Sequence, residues 1–241
     1  MSPTLPTLHT LAPSHFSERA RWGLDWLGIA YAEHRVALRP HVVFLKSKGL
    51  PDTTLPVWSD ADALIQGSGA ILDHVGLPAT DPAFETRFER DIGPLVRRFI
   101  HAAAFASEDP GMRDVLLEGV GPAEKLLGLA AWPALALMLR QRATGPGHLQ
   151  AVVDEVGRAL DWVDGVAADA GGTLASDFGR AHITAASLLY PIASPTPTPT
   201  ARRPRFSAHI QGLMGEWQRR PSLRWVRSTY EAHRPPPRAS P

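Results

Sequence analysis

The sequence predicts an α/β domain followed by an all-helical one. Residues 1–78 alternate short apolar runs of strand length with compact helical patterns. Leu77-Pro78-Ala79-Thr80-Asp81-Pro82 then reads as a linker, and beyond it apolar residues recur at spacings of three and four. The 241 residues suffice for two modest domains with real cores.

Each element follows from local pattern. Thr7 to Leu11 alternates as a strand does, and Ser17 to Leu27 places Ala20, Leu24 and Leu27 on one helical face, with Gly28 positioned to stop it. Ile29 to Val36 resumes an extended pattern. This strand–helix–strand unit implies parallel neighbours joined by a right-handed crossover. Val42 to Lys48 reads as a weak second helix. Leu55 to Trp58 and Ala63 to Gln66 form a hairpin across Ser59-Asp60-Ala61-Asp62, and Ser68 to Val75 closes the domain as a helix.

The second domain, 83–234, opens with Phe84 to Ala106, where Phe88, Ile92, Leu95, Phe99 and Ala102 share a face. Met112 to Leu139 is apolar, and Pro122 and Pro133 are expected to bend or divide it. Leu149 to Ala168 repeats helical spacing through Val152, Val156, Leu160 and Val163. Ala181 to Leu189 is short, uniformly apolar and read as buried. Ser194 to Pro204 is a proline–threonine loop. Phe206 to Gln218 and Leu223 to His233 close the domain. Arg234 to Pro241 carries no core-forming residue, and 235–241 is read as a disordered tail.

Composition removes several function classes. A net charge of +1 offers no electrostatic case for nucleic acid or an anionic membrane. The absence of cysteine excludes disulfides, thiolate metal sites and a cysteine nucleophile. The ten histidines are scattered without H-x-x-x-H or H-E-x-x-H spacing, so no metal site is expected. Met1 to Pro6 lacks the charged and apolar regions of a secretory signal, and the uncharged run Leu126 to Leu139 is too short to span a bilayer. A cytoplasmic protein, without nucleic-acid or membrane partners, is the expectation.

The chemistry concentrates in Ala12-Pro13-Ser14-His15-Phe16-Ser17-Glu18-Arg19, where a strand gives way to a helix. A helix start leaves N–H groups unpaired and carries partial positive charge, which favours a thiolate or carboxylate beside it. From composition alone Ser14 and Ser17 read equally as capping residues. The S-x-x-S resembles the C-x-x-C corner of thioredoxin-like proteins with oxygen in place of both sulfurs. Hydroxyls form no disulfides and do not attack as thiolates, so sulfur chemistry here would need a bound thiol.

Further along, Ser14-His15-Phe16-Ser17-Glu18-Arg19-Ala20-Arg21-Trp22 resembles the first helix of a bacterial branch of the glutathione transferase superfamily that usually carries serine–histidine–aromatic–cysteine there. Thr54-Leu55-Pro56-Val57 is similar to the superfamily's cis-proline turn, and Ile65-Gln66-Gly67-Ser68-Gly69-Ala70-Ile71-Leu72 to its acidic-serine motif. Phe178-Gly179-Arg180-Ala181-His182-Ile183 resembles its C-terminal capping-box helix. Arg220-Pro221 through Trp225 to His233-Arg234 resembles the end of the same branch. The five segments stand in the family's order.

The resemblance implies a thioredoxin-like N-terminal domain, a four-stranded mixed sheet with three helices, followed by a helical bundle. It implies glutathione as co-substrate and Ser14 as the catalytic residue, its hydroxyl donating to the glutathione sulfur. Ser17 would cap the helix beside the thiol. Pro56 would present the Leu55 backbone to the cysteinyl part, and Ser68 would receive the γ-glutamyl carboxylate at a helix start. The family's acidic residue for the γ-glutamyl ammonium is replaced by Gly67; Gln66 is the nearest substitute, although strand alternation turns it to the other face. Losing that charge-assisted bond costs about 1.5–3 kcal/mol. In the capping box, Gly179 and His182 stand where serine or threonine and aspartate are usual, so the reciprocal bonds are not expected.

Arg39 and His41 lie where the family often places a base on the glycine carboxylate, though surface solvation is the plainer reading. Phe16, Phe99, Phe105, Trp225 and Tyr230 are candidates for an apolar acceptor wall, although aromatic spacing on helices usually reports packing and core is the favoured reading of each. The implied activity is conjugation of glutathione to a small hydrophobic electrophile, a detoxification chemistry, by a homodimer. The alternatives are a non-catalytic ligand-binding or interaction protein of the same fold, and a glutathione-dependent isomerase or lyase.

Overall fold

A computed structural model describes residues 5–106, 111–143, 145, 147–169, 178–196, 200 and 202–236. Its N-terminal part runs β1 (Thr7–Thr10), α1 (His15–Trp26), β2 (Ala32–Arg35), α2 (Pro40–Ser47), β3 (Val57–Ser59), β4 (Leu64–Gln66) and α3 (Ser68–His74). The sheet has the order β2-β1-β3-β4, with β1 parallel to β2 and antiparallel to β3. Leu8 faces Glu33 on one side and Trp58 on the other. It is fully buried with Ala20, Leu24, Trp58 and Ile71, so α1 and α3 cover one face through the apolar stripe the sequence shows. Gly23 permits the close approach of those helices: a Cβ there would lie 2.2 Å from Leu72. Helix α1 begins two residues before the expected start, because Ser14 caps it.

The second part begins with α4 (Pro82–Arg87), a π-helical segment (Phe88–Ile92) and α5 (Gly93–Phe105). It continues with α6 (Met112–Leu116), α7 (Pro122–Ala143), α8 (His148–Asp169), α9 (Arg180–Ala193), α10 (Ala208–Trp217) and α11 (Pro221–His233). Helix α9 is buried along almost its whole length and is the bundle's centre. Phe88, Phe99, Val156, Leu160, Leu188 and Tyr230 pack in the same core.

Pro122 divides the long apolar segment by starting α7, where a missing N–H costs nothing, whereas Pro133 lies inside an unbroken helix. One side of α7 is buried at Leu135 and Leu139; the other leaves Leu126, Leu127 and Leu137 exposed.

Ion pairs anchored on buried arginines join the two parts. Arg19 on α1 reaches Glu85 at 3.0 Å and Glu89 at 3.1 Å, and Arg180 on α9 pairs with Glu85 and with Asp73 on α3. Arg234, read as the start of a tail, is instead a buried clamp on α1, bonding Glu18 at 2.7 Å and Asp25 at 2.8 Å. Residues 237–241 of the expected tail lie outside the described residues.

Half of the capping box survives at α9: His182 Nδ1 accepts the Gly179 N–H at 3.3 Å. The linker residue Thr80 supplies another partner, accepting the Ala181 N–H at 2.9 Å.

Candidate active site

A cavity of about 1020 Å³ opens between the two parts, walled by the start of α1, the β2–α2 and α2–β3 loops, α5, α7, the end of α9, and α10. Ser14 stands on its wall. The loop before it is fixed from two directions: Ser14 N–H donates to Leu11 O at 3.1 Å, and Tyr190 on α9 donates its hydroxyl to Pro13 O at 2.8 Å. Burial pushes the Tyr190 phenol well up, so it stays a neutral donor. His15 is buried and its Nε2–H donates to Gly93 O at 3.0 Å, which assigns its tautomer. Desolvation, assisted by the charge of Arg97, brings the His15 pKa down to about 3.

Ser14 Oγ accepts the Ser17 N–H at 3.2 Å. Its own hydroxyl proton has no acceptor among the described residues, so it is free to donate to a ligand atom on the cavity side. Ser17 is fully buried off the cavity, its Oγ accepting the Leu11 N–H at 3.4 Å. It holds the turn from inside the helix, and the cap of α1 is Ser14, not Ser17 as the resemblance implied.

Opposite, the Leu55–Pro56 bond is cis and Leu55 lines the cavity. Neither the N–H nor the C=O of Leu55 is hydrogen-bonded among the described residues, while Pro56 O accepts the Gly67 N–H at 2.9 Å. A peptide-like ligand can therefore pair with Leu55. The cavity wall does not reach Pro56, Gln66, Gly67 or Ser68. Gln66 is committed elsewhere, donating to Asp52 O at 3.0 Å and Thr54 O at 2.9 Å. Gly67, rather than Ser68, is the residue before α3; its φ is 97° and open space surrounds the place of a Cβ. Ser68 Oγ is buried and without a hydrogen-bond partner.

Arg39 and His41 line the cavity; Arg39 is exposed, as a surface residue would be, whereas His41 is buried. His41 Nδ1 accepts the Arg39 N–H at 3.0 Å and Nε2 meets Thr53 O at 3.2 Å, so the ring braces the α2–β3 loop. Burial lowers its pKa, which keeps Nδ1 an acceptor at neutral pH. Arg39 holds φ 81° without being glycine, a costly backbone that turns it onto the cavity rim.

Of the aromatic candidates, only Phe16 lines the cavity. Phe99 packs on Trp217 and Tyr230 on Trp22, both in the core, and Trp225 stands against His182. The apolar wall comes instead from Ile100, Met112, Leu135, Met138, Phe206 and Met214. Tyr190, Arg97 and His101 were not singled out by sequence. Arg97 and His101 sit one turn apart on the face of α5 away from its apolar stripe, the only signal they give.

Residues 8–79, less than half of the chain, match the family model described as the glutathione S-transferase N-terminal domain. No curated protein matches the sequence. Solved structures match along most of it. A glutathione S-transferase of Ceriporiopsis subvermispora in complex with glutathione is 17% identical, with a TM-score of 0.60 over 98% of this chain and 100% of that one. A Pseudomonas putida glutathione transferase with glutathione disulfide bound is 16% identical, with 0.59 over 95% and 88%. The beta-etherase LigF of Sphingobium sp. strain SYK-6 is 13% identical, with 0.57 over 94% and 100%. The fold is thus the thioredoxin-like domain plus helical region of glutathione transferases, and the N-terminal match supports that superfamily.

Proposed function

We propose that this chain is a glutathione-dependent transferase that conjugates the thiol to a small electrophile, using Ser14 to hold the thiolate. The observation that carries this is the free hydroxyl proton of Ser14, on the cavity wall at the start of a helix. Glutathione supplies the nucleophilic sulfur. The chain supplies a hydroxyl donor and the positive end of α1, both of which favour the thiolate over the thiol. Leu55 offers a main-chain donor and acceptor for the peptide part, and Arg39 an unpaired guanidinium for a carboxylate. Ser68 Oγ, an orphan at the start of α3, suits the γ-glutamyl carboxylate. The thiol proton passes to solvent, a carbon–sulfur bond forms, and the displaced pair leaves with the leaving group or is protonated after addition. The site lies between the domains, where proximity contributes most of the rate. A cytoplasmic homodimer belongs to the same reading.

Gly67 favours a second reading, a non-catalytic carrier of the same fold, because nothing there receives the γ-glutamyl ammonium. Calorimetric titration with reduced glutathione at pH 7 tests the first. Binding at millimolar strength or tighter, weakened by Ser68→Ala, is the expected result. No heat and no thermal shift at high glutathione would overturn it and leave the carrier.

A further inference from the structure

The cavity wall is one-signed. Arg39, Arg97, Arg202 and Arg203 line it, and no aspartate or glutamate does. Three of the four have other claims on them. Arg39 sits at the α2 rim, where the proposed thiol substrate ends. Arg202 stands 3.7 Å from Asp114, and Arg203 donates to Pro195 O at 2.9 Å. Arg97 has none: its guanidinium makes no hydrogen bond or ion pair with any described residue. Its sequence neighbour Arg98, pointing off the cavity, is tied to Glu155. So the helix pairs its outer arginine and leaves the inner one bare.

The surroundings of Arg97 are those of a binding site. Its guanidinium carbon lies 5.9 Å from the centre of the Phe16 ring, two residues beyond Ser14. Ile100 shares its face of α5, and Met112 and Met214 line the same cavity. His101, one turn along, has its pKa brought down to about 4 by burial and by Arg97, so it is uncharged at pH 7 and adds a polar contact without a charge. Arg97 is itself exposed where it lines the cavity, and partial desolvation there lowers its pKa. An unpaired guanidinium against an apolar wall gains more from an anion than the same group in water, and its planar fork matches a carboxylate or sulfonate in two bonds.

We infer that the cavity takes an amphipathic organic anion, an apolar body carrying a carboxylate or sulfonate, with Arg97 receiving the negative group. As a statement about the electrophilic acceptor it rests on the transferase reading. As a statement about what the cavity holds, it stands on the wall alone.

Calorimetry with 2-naphthoate and its uncharged isostere 2-naphthamide separates charge from shape, without glutathione present. The wild-type chain binds naphthoate about tenfold or more tightly than naphthamide, the gain of a charge-assisted pair. Arg97→Met removes that preference while keeping the amide's affinity, Arg97→Lys keeps part of it, and Arg98→Gln leaves it unchanged. Thermal melts of each variant confirm folding. Equal affinity for the two probes in the wild type, or an anion preference that survives Arg97→Met, overturns the inference. Glutathione titrated in a separate arm reads the transferase proposal independently: heat with glutathione but no anion preference sinks only the inference, and the reverse sinks only the transferase.

Discussion

At the start of α1 nearly every group is held by a partner, whereas at the start of α3 the corresponding groups stand open. The loop before Ser14 is fixed by Tyr190 from the helical domain, His15 is fixed by Gly93, and Ser17 is buried under the turn. At the other corner Gly67 has no side chain, Gln66 is turned to the α2–β3 loop, and Ser68 Oγ has no partner. The same topology supports both corners, so the difference lies in side chains. A group that must stabilise developing charge is useful only if its dipole is already aimed, and both domains aim that of Ser14. A corner that only anchors one end of a ligand tolerates looser construction, at a cost in affinity.

The largest expected effect comes from breaking the ordered corner. Ser14→Ala deletes the hydroxyl donor that the proposed function places at the sulfur and leaves the fold around it bonded. Turnover with an electrophile falls about 10²–10³-fold, as for loss of a single preorganised donor, while glutathione affinity changes far less. The pH at which the bound thiol ionises rises in parallel, read from thiolate absorbance. Unchanged turnover and unchanged ionisation would place the thiol elsewhere.

Acid tests the same corner through stability. The His15 pKa of about 3 lies below the 6.5 of an unfolded chain, so between those values the unfolded state binds the extra proton. The stabilisation is complete above pH 6.5 and is lost as pH falls towards 3. At pH 5 the loss is about 2 kcal/mol from this group. Urea unfolding at pH 7 and pH 5 should show a loss in the wild type that His15→Gln reduces by that amount, with His9 and His101 accounting for the remainder. Ser68→Ala, at the open corner, should leave the pH dependence as it is. An equal acid loss in His15→Gln would mean that other buried histidines, His9 foremost, carry it.

How far the sequence disclosed these corners depends on whether their partners are local. The start of α1, the cis-proline turn and the hairpin are local patterns, and each lies within a residue or two of its expected place, although the cap is Ser14 and not Ser17. The helical spacing of α5 and α8 likewise reports a face that must be buried. Tyr190, Arg97 and Arg234 act across separations of 81 to 216 residues (Phe16 to Arg97, Glu18 to Arg234), and no spacing rule links such pairs. Periodicity alone leaves Phe99 and Tyr230 between core and wall, with core the favoured reading, because an aromatic on a buried face looks the same whether it meets a cavity or another helix; both are core. Pro133 was expected to bend or divide the apolar segment, and it does not divide it: α7 continues through it.

The smallest effect, and the sharpest for the comparison, comes from furnishing the open corner. Gly67→Asp restores a carboxylate where the γ-glutamyl ammonium would lie, in open space. Its φ of 97° with ψ 138° lies outside the left-handed helical region that aspartate tolerates, in backbone space close to that reserved for glycine, so the substitution is strained. The backbone cost, about 1–2 kcal/mol, falls on folding and appears as a lower Tm. The gain falls on binding, and because the corner is partly solvated it is that of an exposed ion pair, about 0.2–1 kcal/mol, or up to about fivefold in glutathione affinity. The two effects separate in two measurements, a melt without ligand and a titration at a temperature where the variant is folded. Rising salt should erase the affinity gain but not the melting loss, since screening acts on the pair and not on the backbone. If affinity does not move while Tm falls, the ammonium end of the ligand lies away from residue 67, and the thiol held at Ser14 reaches the protein through Leu55 and the cationic α2 rim instead.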